Sequence, residues 1–388
     1  MKKLKIVADD RIPFLKGVLD PLVDVVYLPG TKMTSADVAD ADAIFIRTDT
    51  PCNESLLHRS RVRLIVTASI GYDHIDTAYC ESAGIQWANA PGCNSLSVQQ
   101  YIIAALLVLA KEKKWNLSDM TLGVIGVGNV GSKAANAGVA LGMRVLLNDP
   151  PRAEQEGDIQ FTPLNQLLSQ SDIVTCHTPL TKEGLYPTYH LSSYDFFDRM
   201  KNGAVYINTS RGAVADSAAL KQAVQSKLSA YILDVWEGEP NIDLKLLKNA
   251  IIGTPHIAGY SSDGQANGTV ACVRKFCRFF GLNTLSDWYP ETIPVSPIPA
   301  IIHINCEGKT DQEVFYEAVT HTYPIWEDSL RLQRKPAGFE EQRRNYPIRR
   351  EFGSFTVQLK HPTEKILNGL CLLGFNLQVS EKFTFSVL

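Results

Sequence analysis

Apolar positions fall into short unbroken runs separated by helical stretches, and this spacing sets the expected architecture. β-Branched runs at Leu4–Ala8, Val23–Leu28, Ala43–Arg47, Arg63–Ala68 and Gln86–Ala88 predict the first strands. The runs are continuous rather than alternating in polarity, which suits strands covered on both faces and hence a parallel sheet. The stretch Leu96–Glu112 is apolar nearly all round and predicts a helix buried between domains or subunits. A second series follows at Thr121–Ile125, Arg144–Asn148, Ile173–His177, Ala204–Asn208, Ala230–Asp234 and Ala250–Gly253. Strands separated by helical segments in this way match a doubly wound nucleotide fold. A helical segment, Gly264–Phe280, then returns the chain towards the first domain. Four prolines within Tyr289–Ala300 predict an extended linker. Beyond it stand a strand at Ile301–Asn305, helices, the basic run Arg343–Arg350, and the apolar residues Phe315, Trp326, Phe352, Phe355, Leu370 and Phe375. These make a small third domain of α+β type.

Composition narrows the class. At 388 residues the chain is long enough for two or three domains. Lysine plus arginine number 38 against 41 aspartates and glutamates, a net charge of −3 that draws the chain to neither nucleic acid nor anionic lipid. The longest apolar run, Ile102–Ala110, is about half the roughly 20 residues needed to span a bilayer. Lys5, Asp9 and Asp10 interrupt what would be the apolar core of a signal segment, so a cytoplasmic protein is expected. The eight cysteines include no CxxC pair and no Cys/His cluster, which reads as a reducing compartment without a disulfide lattice or metal site. HExxH, GxSxG and Walker A patterns do not occur.

The strand Thr121–Ile125 runs into Gly126-Val-Gly128-Asn129-Val130-Gly131 and a helix. Gly126 allows a tight turn, Gly128 leaves space for a pyrophosphate, and Gly131 lets helix approach strand. The anion would rest on the helix N-terminus. Asp149 stands at the end of the next strand, where a carboxylate can accept ribose hydroxyls and repel a 2′-phosphate. That favours NAD over NADP, with Arg152 nearby as the cation that NADP would need.

Three later strand ends deliver further chemistry: Arg211 in Val205–Gly212, Asp234 and Glu239 in Ile232–Pro240, and His256 in Ile252–Tyr260. A guanidinium can hold a carboxylate by two parallel hydrogen bonds. An imidazole can take a hydroxyl proton as hydride leaves the same carbon, and a neighbouring carboxylate orients it and stabilises its charged form. The trio fits hydride transfer at a carbon beside a carboxylate.

The glycine motif, Cys176-His-Thr-Pro-Leu-Thr181, Asn208-Thr-Ser-Arg-Gly212, Glu239-Pro240 and Thr254-Pro-His256 resemble the D-isomer-specific 2-hydroxyacid dehydrogenases. The resemblance implies a flavodoxin-like substrate domain of residues 1–93 and 257–285, a Rossmann NAD domain of residues 94–256, and closure of the two over a cleft. It also implies that Arg211 binds substrate, that Glu239 pairs with His256, and that His256 moves the proton. His177, Thr178, Asp234 and Gly259 would contact the cofactor. Phe339–Phe352, with Ala68–Asp76 and Gly259-Tyr260, resembles a branch of this family that oxidises 4-phospho-D-erythronate in pyridoxal phosphate biosynthesis. In that branch residues 286–388 would be a C-terminal dimerisation domain, giving a homodimer, and Thr48, Ser69 and Tyr260 would touch substrate. Arg47 and the Arg343–Arg350 run, Arg349 and Arg350 above all, are candidates for the substrate phosphate; the alternative for the run is a solvated basic face or salt bridges between subunits. Two alternatives stay open: a dehydrogenase for another D-2-hydroxy acid such as glycerate, 3-phosphoglycerate or lactate, and a non-catalytic NAD sensor resembling a corepressor of the family.

Overall fold

The structure, a computed structural model, describes residues 3–157 and 160–379. Residues 380–388, the end of the expected C-terminal domain, lie outside the described residues. The chain forms two compact units, Met1–Asn94 with Ser261–Pro294 and Ser95–Tyr260 with Val295–Leu388.

The first unit is built on β1 (Lys5–Asp9), β2 (Asp24–Leu28), β3 (Ala43–Ile46), β4 (Leu64–Thr67) and β5 (Gln86–Ala88). All pair in parallel, in the order β2-β1-β3-β4-β5 of a flavodoxin-like sheet. Its central strands are buried on both faces, which is why their sequences do not alternate. Ile6, Phe45 and Val66 pack with Val273 and Phe276 of the helix Ser262–Phe280, while Val7, Ile44 and Ile65 face Leu57 and Cys80 on the other side.

The second unit carries β6 (Thr121–Ile125), β7 (Arg144–Asn148), β8 (Ile173–Cys176), β9 (Ala204–Asn208), β10 (Leu228–Leu233) and β11 (Ile252–Gly253). This sheet is also parallel, in the order β11-β10-β9-β8-β6-β7. The direction of winding reverses beside β6. Open α/β sheets bind their ligands in the crevice at such a reversal, beyond the carboxyl ends of the strands.

The tail carries the expected small α+β fold. Its strands β12 (Ile301–Asn305), β13 (Thr356–Lys360) and β14 (Asn376–Val379) make a parallel sheet of their own. Its helices nevertheless share one apolar cluster with the nucleotide-binding part. Val314, Phe315, Val319 and Leu370 join Ile103, Leu107 and Ala137 in that cluster. The all-round apolar helix, found at Ser95–Lys113, is therefore buried inside this unit, between the helix Asn129–Ala140 and the tail helix Asp311–Thr322. An apolar surface of that extent needs cover on every side, and the tail supplies part of it. The two units are bounded at Asn94, Tyr260 and Pro294.

Six of the eight cysteines are buried. Among the described residues no helix is long and apolar enough to cross a membrane.

Candidate active site

β6 leads directly into the glycine turn, and the helix Asn129–Ala140 starts just behind it. Gly126 has φ +80°, and a Cβ there would lie 2.9 Å from the carbonyl group of His177. A Cβ on Gly131 would sit 1.8 Å from the Gly126 carbonyl oxygen, so only glycine allows this crossing. Above Gly128 the space is open, and an added Cβ meets nothing within 4 Å. No side chain caps the helix at Gly128. The first-turn N–H groups, beginning with those of Asn129 and Val130, are thus left for an anion, in line with the helix dipole. The hydroxyl of Thr178 is buried beside Gly126 without a hydrogen-bond partner. A buried hydroxyl left so is costly, and a bound dinucleotide would satisfy it.

Asp149 follows β7, and its carboxylate accepts the N–H of Val127 at 2.7 Å and that of Arg152 at 3.2 Å. These bonds aim it along the glycine turn, with lone pairs left for ribose hydroxyls. Arg152 grips Glu156 through two hydrogen bonds of 2.7 Å and donates to the Val127 carbonyl at 2.5 Å. Its guanidinium is already committed, so the residues fit NAD and not the 2′-phosphate of NADP.

His177 lies just past β8 with Nε2 3.0 Å from the Thr175 hydroxyl and Nδ1 3.2 Å from that of Thr209. Burial pushes its pKa down from 6.5 to about 3, so the folded protein holds a neutral imidazole. Between those values the unfolded chain carries a proton that the folded chain lacks, and stability rises with pH across that window. Acidification from pH 7 to pH 5 should cost up to about 2 kcal/mol at this residue. Thermal unfolding of His177→Asn should show a smaller drop in Tm over the same interval; equal drops would mean that His177 is charged in the fold.

β10 delivers Asp234 and β11 delivers Thr254-Pro-His256. The Asp234 carboxylate, only 1% exposed, accepts the Thr254 hydroxyl at 2.7 Å and the N–H groups of Ile257 and Ala258 at 2.7 and 2.9 Å. The N–H of His256 donates to the Asp234 carbonyl at 2.7 Å. Asp234 therefore anchors the histidine loop, a task the sequence did not suggest for it. Within this loop His256 has φ +57°, a region that non-glycine residues seldom occupy. Its Nδ1 lies 2.8 Å from Glu239 Oε2, and Glu239 Oε1 accepts the N–H of Trp236 at 2.7 Å. Burial pushes the Glu239 carboxyl up, but His256, the Trp236 N–H and Arg343 outweigh it and hold the pKa below the ordinary value. An ionised carboxylate only accepts, so the shared hydrogen belongs to Nδ1 and the Nε2 lone pair is left as a base. Gly259 closes the loop, and the N–H of Tyr260 turns back to the Ile257 carbonyl at 2.8 Å.

Arg211 follows β9 in extended backbone, its Nη1 donating to the Ser210 carbonyl at 2.8 Å and its own carbonyl accepting from Asn208 at 3.0 Å. A Cβ on Gly212 would come within 2.0 Å of the Trp236 carbonyl group. The Arg211 turn thus lies directly against the backbone that leads to Glu239. Arg211, Glu239 and His256 come from three neighbouring strand ends of one sheet.

In the other unit, Thr48 is exposed in the turn after β3, and Ser69 lies beyond β4. The Ser69 hydroxyl donates to the Gly71 carbonyl at 2.8 Å and lies 2.8 Å from that of Thr67. Arg47 is paired with Asp9 and Asp49, each at 3.3 Å.

Residues 107–258 match the model of the NAD binding domain of the D-isomer specific 2-hydroxyacid dehydrogenases. Residues 295–374 match a domain family of unknown function. Over 356 residues the chain is 47% identical to a curated erythronate-4-phosphate dehydrogenase of Bacteroides fragilis, covering 91% of this chain and 99% of that one. The chain belongs to the erythronate-4-phosphate dehydrogenase family. An Escherichia coli member of that name is 39% identical over 378 residues, covering 96% of this chain and 98% of that one. Among solved structures, a D-lactate dehydrogenase of Aquifex aeolicus complexed with NAD and lactic acid aligns with TM-score 0.60 at 28% identity, covering 75% of this chain and all of that one. A 3-phosphoglycerate dehydrogenase of Entamoeba histolytica with bound NAD shares the fold, at TM-score 0.62 and 24% identity over 76% of this chain and all of that one.

This member of the erythronate-4-phosphate dehydrogenase family also brings tail residues to the histidine loop. Arg343 sits beside Glu239, with its guanidinium 5.9 Å from the centre of the Tyr260 ring and paired to Glu340 at 2.9 Å. The ring of Tyr346 meets that of Tyr260 edge-on at 5.8 Å. Arg349 corrects the sequence reading. It is 5% exposed and points into the unit under the histidine loop, so it is no phosphate ligand. The run's four arginines and its one tyrosine were visible in the sequence, but a partner some ninety positions away was not.

Proposed function

We propose that this chain oxidises 4-phospho-D-erythronate at C2 to 3-hydroxy-2-oxo-4-phosphobutanoate, a step of pyridoxal 5′-phosphate formation. The observation that carries the reading is the His256–Glu239 pair, 2.8 Å apart in the unit that holds the glycine cradle. Arg211 binds the C1 carboxylate through its fork of N–H donors, which fixes the face presented by C2. His256 Nε2 takes the C2 hydroxyl proton, and Glu239 stabilises the imidazolium that results. NAD, when bound, supplies the acceptor for the hydride that leaves C2. Gly126, Gly128, Asn129, Val130 and Gly131 hold its pyrophosphate, and Asp149 its ribose. His177, Thr178, Asp234 and Gly259 complete that side of the site. Thr48, Ser69 and Tyr260 are substrate contacts by resemblance, with Arg47 and Arg350 as the cations for the phosphate.

The reading includes a homodimer formed through the tail, supported by the apolar side chains of Trp326, Leu330 and Ile348, which are 37%, 43% and 44% exposed. It also includes a cytoplasmic setting, in keeping with eight cysteines whose spacing contains no CxxC pair.

The test is turnover of 4-phosphoerythronate with an excess of a 2-oxo acid to recycle reduced cofactor, run beside glycerate, 3-phosphoglycerate and lactate. The phosphorylated four-carbon acid should give the highest kcat/KM. Preference for another acid would reassign the substrate, and NAD binding without turnover on any of them would favour a sensor.

A further inference from the structure

The backbone of the two residues that follow His256 is gripped from both sides. Asp234 accepts the N–H groups of Ile257 and Ala258 at 2.7 and 2.9 Å. Arg349 Nη2 donates to the carbonyl oxygens of the same two residues at 3.3 and 2.5 Å. The peptide group that joins Ile257 to Ala258 thus points the positive end of its dipole at a carboxylate and the negative end at a guanidinium, and the peptide groups before and after it are each held at one end. The carboxylate comes from the nucleotide-binding sheet and the guanidinium from the tail.

Arg349 stands in a prepared place. Its guanidinium carbon lies 4.5 Å from the centre of the Tyr323 ring and 5.7 Å from that of Tyr346. Both phenol hydroxyls donate to Asp328, at 2.9 and 2.6 Å, so a buried negative charge is held close by. The backbone on either side is fixed to the helix Ser95–Lys113. Gln100 donates to the Arg350 carbonyl at 3.1 Å, and Ser97 donates to Glu351 at 2.7 Å. Two nitrogens of the guanidinium, Nε and Nη1, are nonetheless buried without a hydrogen-bond partner. Burying a charge with incomplete pairing is expensive, and an apolar side chain of similar volume would often fill such a space at less cost. Packing alone does not account for an arginine here.

The loop above it does. His256 holds φ +57°, and such a backbone persists only where its surroundings over-determine it. We infer that Arg349 is a positioning residue, through which the tail clamps the His256 loop of its own subunit in the geometry that pairs His256 with Glu239. The inference rests on the dehydrogenase reading above. It gives the segment 295–374, which matches a family of unknown function, a part in catalysis distinct from any dimer contact.

The test uses the full chain with NAD bound. It compares wild type with Arg349→Lys and Arg349→Met by kcat and KM on 4-phosphoerythronate, and by amide hydrogen exchange at Ile257 and Ala258. Lysine keeps the charge but, as a single ammonium, cannot reproduce the planar fork. Its kcat should fall about fivefold or more while KM and the Kd for NAD stay within about twofold. Exchange at Ile257 and Ala258 should rise about tenfold, with Gly126–Gly131 unchanged. Methionine should lose more kcat than lysine; if it does not fold, the lysine variant alone decides. Unchanged kcat in a folded variant overturns the positioning role, and unchanged exchange at the two amides overturns the clamp itself. A wild type without turnover overturns the dehydrogenase reading instead, and the exchange measurement still decides the clamp.

Discussion

Replacing His256 with alanine should remove at least about two decades of kcat while NAD continues to bind, because a positioned proton acceptor contributes about 10²–10⁴-fold. The geometry makes the prediction specific to this imidazole. Glu239 is held ionised and accepts from Nδ1 at 2.8 Å, which fixes both the tautomer and the direction of Nε2. His177, the other histidine close to the glycine turn, is kept neutral by burial and is spanned by two threonine hydroxyls, so it cannot substitute. Steady-state kinetics alongside fluorescence titration of NAD separates the two quantities. Turnover by the alanine variant within tenfold of wild type at neutral pH would move the proton to another group.

Arg211→Lys is the second large effect. A fork of two parallel N–H donors fixes a carboxylate in both distance and plane, whereas an ammonium is a point charge with a different reach. Losing one charge-assisted hydrogen bond costs about 1.5–3 kcal/mol, so kcat/KM should fall by roughly 10- to 100-fold. Both kcat and KM should suffer, since a carboxylate that can rotate presents C2 to the cofactor in more than one orientation. Gly212 leaves the loop little freedom to adjust, as its Cα already lies against the Trp236 backbone. A lysine variant with unchanged kcat/KM would show that the substrate carboxylate is held elsewhere.

The strand ends that carry this candidate site were legible before any coordinates. The glycine turn, Asp149 and the trio Arg211, Glu239 and His256 could be placed because each depends on neighbours in the chain: a buried strand, then a residue where the strand ends. The parallel sheets were legible for the same reason, through runs of β-branched residues with no polar face. β13 and β14 were missed because they belong to a small sheet with one face partly open, where the apolar run that marks β6 or β9 is absent.

What chain order could not give is every relation fixed by packing across long separations. Nothing beside Asp234 in the chain says that its oxygens meet amides 23 and 24 residues further on. Arg349 looked like one charge in a basic run, yet it donates to a carbonyl 91 residues earlier. The helix Ser95–Lys113 announced that it would be buried, but not that the tail would help to cover it. Local pattern records which surfaces must leave water and which backbone turns need glycine. Which surfaces then meet, and which charge ends up beneath the histidine loop, is settled only when those faces are packed together in three dimensions.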